Sequence, residues 1–114
     1  MAKPITFLVD AAEPLAELAG TLNHLLDIHL IPLPESGDHY AFRAMTLTLD
    51  LQEVQTDKAQ LTPNQHRYQI IINGIFGSEE QRTKWTEDWA FGILQTLRET
   101  GRYRVRRADA AFAG

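Results

Sequence analysis

The segment "ITFLV", Ile5 to Val9, is apolar at alternate positions in both phases, which predicts a short central strand closed by Asp10. After Pro14, whose missing donor costs little in a first turn, Leu15, Leu18, Ala19, Leu22, Leu25 and Leu26 recur at helical spacing. Their common face is expected on a sheet, and Gly20 within the helix suggests a close approach to a neighbour. "IPLPESGDH", Ile31 to His39, carries two prolines and a glycine and reads as a connection. Beyond it, Met45, Leu47, Leu49 and Leu51 alternate with Thr46, Thr48, Asp50 and Gln52, the clearest one-faced strand in the chain. Phe42 is out of phase with that row, and a bulge near Arg43 and Ala44 would restore it.

Thr56 to Gln65 reads as a polar hairpin loop, and "HRYQIIINGIF" as a third strand whose Ile70, Ile71 and Ile72 again place apolar groups on both faces. Ser78 with Gln81 three residues on forms a capping box, with Glu79 and Glu80 in the first turn of a second helix. Trp85, Trp89, Ile93 and Leu97 define its apolar stripe, widened by Ala90, Phe91 and Leu94, and Gly101 provides the stop. In "RYRVRR", Tyr103 and Val105 oppose Arg104 and Arg106, and the tail at 108–114 is left either loose or tucked in through Phe112.

Strand, helix, strand, strand, helix, strand is the ferredoxin-like order, β-α-β-β-α-β. It predicts a single α+β domain over 1–114, with a four-stranded antiparallel sheet and both helices on one face. The first and third strands would be central, as their two-sided apolar character requires. Leu8 and Ile71 would then project from the other face, where burial in a homodimer or against another protein is the expected outcome.

Composition narrows the chemistry. The 114 residues contain no cysteine, which removes disulfides, thiolate nucleophiles and Cys-ligated metals. The apolar run at the start is too short for a signal-peptide core or a membrane span, so a cytoplasmic protein is expected, with no membrane partner. Net charge is −4, but the stretch from Arg98 to Asp109 holds five arginines against two acids. Arg102, Arg104, Arg106 and Arg107 therefore mark a basic last strand in an otherwise acidic chain, suited to an acidic partner surface or to protecting a sheet edge.

Catalytic, cofactor and metal motifs are not found. "GIFGSEEQ" supplies Ser78 but not the lysine of a phosphate-binding loop, and Glu79 and Glu80 would repel a phosphate at the helix start. His24 and His29 are five apart, His39 and His66 are expected at opposite ends of their hairpin, and no HExxH motif occurs. Ser36 and Ser78 are the only serines and neither sits in a nucleophile elbow. Asp10 at a strand end and Asp50 on a polar row could serve acid–base chemistry only if a cleft assembled around them. The third strand offers Tyr68 but no row of base-stacking aromatics, so nucleic acid is disfavoured, leaving weak RNA binding through the C-terminal arginines as a lesser alternative. The expected function is a non-catalytic protein-interaction or assembly domain that self-associates as a homodimer and can also bind another protein. A small-molecule sensor is the competing class.

Overall fold

The structure, a computed structural model, describes residues 3–35, 38–54 and 64–108. Six strands and two helices follow one another as β1 (Ile5–Ala11), α1 (Leu15–Leu26), β2 (Ile31–Pro32), β3 (His39–Arg43), β4 (Leu47–Glu53), β5 (His66–Gly74), α2 (Glu79–Glu99) and β6 (Arg104–Arg107). The fold is α+β, with one antiparallel sheet ordered β2-β3-β4-β5-β1-β6.

The expected four-stranded ferredoxin-like sheet is therefore corrected to six strands. The stretch that alternation predicts as one bulged strand is a hairpin: β3 and β4 pair through Phe42↔Leu49 and Tyr40↔Leu51, and Ala44 donates its amide to the Leu47 carbonyl at 2.9 Å across the turn. The phase change at Phe42 thus marks a chain reversal. Met45 lies in that turn and is 84% exposed, although alternation put it in the buried row. The two-residue β2 adds to the outside of β3 from within the supposed connection.

Phe7, Val9, Leu49, Leu51, Ile70 and Ile72 are fully buried and form one core with Leu18, Leu22, Ile93 and Leu97 of the helices. Both helices therefore cover one face of the sheet. β1 and β5 lie inside it, where every backbone group can pair on both sides.

α1 buries Leu18, Ala19 and Leu22, as its spacing predicts, and stops at Asp27, which takes the left-handed conformation at φ 52°. Asn23 holds that exit, its side-chain oxygen accepting the Leu30 amide at 2.7 Å. Gly20 makes no close approach, because a Cβ there would meet nothing within 4 Å.

At the start of α2 the capping box forms: Ser78 Oγ accepts the Gln81 amide and Gln81 Oε1 accepts the Ser78 amide. The buried stripe is Thr86, Ala90, Ile93 and Leu97, rotated from the expected one. Trp85 is 44% exposed and Phe91 69% exposed, so neither is a core residue. The rotation follows from the close approach of α2 to β5. A Cβ on Gly74 would lie 2.6 Å from the Arg82 carbonyl oxygen, so only small side chains fit where the helix touches the strand.

Candidate interaction surface

The face of the sheet opposite the helices is built by the alternate residues of each strand, and register sets its pattern. Across β6, β1 and β5, Arg104, Asp10 and Arg67 form one row, and Arg106, Leu8 and Gln69 the next. Farther on, Thr6, Ile71, Asp50 and Ala41 line up across β1, β5, β4 and β3. Among the described residues no helix or second sheet covers this face. Leu8 and Ile71 are half-buried on it.

Asp10 is the most deeply set charged group on this surface, at 6% exposure. Its carboxylate accepts Arg67 Nε at 2.8 Å and Arg67 Nη2 at 3.1 Å, a two-point match of guanidinium to carboxylate. The Asp10 bond and charge raise the Arg67 pKa above its ordinary value, outweighing burial, which acts the other way. Asp10 therefore does not end β1, which runs on to Ala11. Leu8, Asp10, Arg67, Arg104 and Arg106 surround a small dent of about 20 Å³, and Arg104 and Arg106 are exposed without an ion-pair partner among the described residues.

The four C-terminal arginines thus separate into two kinds. Arg104 and Arg106 stand on the open face, whereas Arg107 is on the helix side, donating to Glu87 at 3.2 Å. Arg102 donates to the Tyr103 hydroxyl and lies 3.2 Å from Glu13, with its guanidinium over the Tyr103 ring. Glu13 is a local hub, accepting the Tyr103 hydroxyl at 2.8 Å and the Thr21 hydroxyl at 3.4 Å, while its backbone carbonyl accepts the hydroxyl of Tyr68.

Tyr68 is fully buried beneath the helices and is not displayed as a stacking platform. Its hydroxyl is pushed up to about 12, first by burial and then by the carboxylates of Glu53 and Glu13. Below the ordinary value of 10.0 both folded and unfolded chains keep this proton and the stabilisation is complete. Between 10.0 and about 12 the unfolded chain loses the proton first, so stability should fall as pH rises. Tyr68→Phe should flatten that decline by about one proton's slope, measured as urea midpoints across the alkaline range. An unchanged slope would show that Tyr68 titrates as an ordinary phenol.

Asp50, His39 and His66 are held by side-chain hydrogen bonds. Asp50 accepts His39 Nε2 and Arg43 Nη2, each at 2.8 Å, and His66 Nδ1 lies 3.3 Å from Glu53. Because β3 is a separate strand, His39 and His66 stand at the same end of the sheet, not at opposite ends. Each meets its own carboxylate, and among the described residues no three His, Asp or Glu side chains converge on a metal-sized site.

In the glycine corner the Gly74 amide donates to Thr86 Oγ1 at 2.8 Å, and the Gln81 side chain already occupies the Ser78 amide. Most of the Thr56–Gln65 loop and nearly all of the 108–114 tail lie outside the described residues, as do two residues of the proline-rich connection. No helix among the described residues is long and apolar enough to cross a membrane. Sequence reasoning missed the Asp10–Arg67 pair, whose partners are 57 positions apart. Comparison with known protein families, curated proteins and solved structures finds no match.

Proposed function

We propose that the chain is a non-catalytic protein-interaction domain that docks an acidic protein surface on the uncovered face of its sheet. The observation that carries this reading is the arginine pair. Arg104 and Arg106 stand beside Leu8 with no ion-pair partner among the described residues, while Arg67 already occupies the neighbouring Asp10. Arginine suits such a surface because its planar fork binds carboxylates at two points and sheds water more readily than lysine. Leu8 and Ile71 supply small apolar anchors within a mainly polar face, the composition of a reversible interface more than of an obligate one.

Self-association through the same face is the second reading. Like-charge repulsion weakens it, because the face carries Arg43, Arg67, Arg104 and Arg106 against Asp10 and Asp50. Sedimentation of the purified chain at micromolar concentration should show a monomer. A dimer dissociated by Ile71→Glu would move the assignment to a second copy.

The direct test is charge reversal at the arginine pair. Arg104→Glu with Arg106→Glu should reduce capture of the cellular partner at least tenfold, and added salt should weaken the wild-type complex in parallel. Arg98→Glu, a charge reversal on α2, should leave capture unchanged. Capture indifferent to the arginine pair would defeat the proposal.

A further inference from the structure

On the far side of the molecule, α1 and α2 are separated by a furrow that neither fills. Two hollows lie along it and share Leu25. One, of about 400 Å³, is set against Trp85, Trp89 and Ile93, and the other, of about 830 Å³, lies towards Glu17, Gly20 and His24. Two glycines keep it open. A Cβ on Gly20 or on Gly92 would meet nothing within 4 Å, although both sit inside helices where glycine is about 1 kcal/mol worse than alanine.

The hollow at Trp85 and Trp89 has an apolar and aromatic floor with Asp88 on its rim, whereas the other is mainly polar, with Glu13, Glu17, His24 and Arg102 around Leu25. Both tryptophans of the chain line the first, Trp85 44% exposed and Trp89 half-buried. Asp88 borders the aromatic hollow and Glu17 the other, and neither has an ion-pair partner among the described residues. Arg102, which itself lines the second hollow, is engaged by Glu13 at 3.2 Å.

We infer that this furrow is a second docking site, and that its occupant is a basic amphipathic helix of a partner protein. Such a helix satisfies its own backbone groups and needs burial on one side only, which is what an open trough provides. Its apolar stripe would lie on Leu25, Trp89 and Ile93, against the shelf left by Gly92, and Lys or Arg beside that stripe would meet Asp88 and Glu17. Exposed indole faces add attraction for the same cations. The site is independent of the open sheet face and has the opposite charge preference, so the domain would join an acidic partner on one side to a basic helix on the other.

The test uses the tryptophans as reporters. A panel of synthetic, tryptophan-free helical peptides of about 16 residues, apolar at helical spacing and flanked by Lys and Arg, is titrated into the intact protein. A saturable blue shift of the indole emission is expected, and none with peptides in which every Lys and Arg is replaced by Glu. Gly92→Leu, at a position where an added Cβ meets nothing within 4 Å, fills part of the trough and should weaken binding at least tenfold with thermal stability kept or raised. Asp88→Lys, a milder second variant, should weaken it by up to about fivefold, the upper end for exposed charge pairs. Arg104→Glu with Arg106→Glu should not weaken it, which separates this site from the sheet face. The inference is overturned if no basic peptide binds, if acidic peptides bind equally well, or if Gly92→Leu binds like wild type. Saturation by tetramethylammonium with no peptide binding would also overturn it.

Discussion

Asp10→Ala is expected to destabilise the fold by about 3 kcal/mol, the lower end for breaking a buried ion pair by removing one partner. In a domain of this size that corresponds to a melting temperature lower by about 12 °C. The reason is the setting of the pair. The Asp10 and Arg67 side chains are 8% and 11% exposed, and alanine would leave the guanidinium shielded from water without its two-point acceptor. Replacing both residues by leucine should recover most of the loss, because the double change removes both buried charges together. The same substitution should alter the face as well as the fold. Asp10 lies between Arg67 and Arg104 in cross-strand register, so its removal concentrates unbalanced positive charge beside Leu8. Thermal scans of the single and double variants decide the matter. A cost below about 1 kcal/mol for Asp10→Ala would mean that water screens the pair as at an ordinary surface.

How much of this was legible in the sequence depended on whether local pattern or distant contact fixed the structure. α1 and the capping box were legible because helical spacing and the Ser78–Gln81 exchange are local. The uncovered face was partly legible, since Leu8 and Ile71 are apolar residues out of phase with the buried rows. The six-stranded sheet was not. The reversal between β3 and β4 runs through Ala44, Met45 and Thr46, which contain none of the glycine, proline or asparagine that usually marks a turn. The out-of-phase Phe42 was the available signal, and a bulge accounts for it equally well at the level of sequence.

The misplacement of Trp85 has a different origin, Trp89 being packed against the edge of the core as expected. Size drew the apolar stripe through Trp85 and Trp89, but the helix packs where it can come closest to the sheet. Thr86 and Ala90 take the inner positions because α2 crosses β5 at Gly74, and that rotation turns Trp85 towards the furrow. No single-residue property encodes the choice. It follows from matching small residues on two elements twelve positions apart.

That contact supports the second large effect: Gly74→Ala should cost about 2–4 kcal/mol even though only one methyl group is added. The new Cβ would lie 2.6 Å from the Arg82 carbonyl oxygen and 2.8 Å from Thr86 Oγ1, distances that no ordinary packing tolerates. Neither neighbour can yield freely. The carbonyl belongs to the helix backbone, and Thr86 Oγ1 accepts the Gly74 amide at 2.8 Å while donating to the Arg82 carbonyl at 2.7 Å. Relief requires α2 to move away from β5, which adds the loss of a buried hydrogen bond to an overpacking cost of about 1–3 kcal/mol. Thr86→Ala in the same chain should recover little, since it removes the hydroxyl contact and leaves the shorter one to the backbone. Gly20→Ala gives the opposite sign: with nothing within 4 Å of its Cβ, the helix should gain about 0.5–1 kcal/mol. Urea unfolding of the two variants side by side checks the geometry. If Gly74→Ala were as stable as wild type, the close crossing that turns Trp85 outwards would be wrong, and with it the furrow it lines with Trp89.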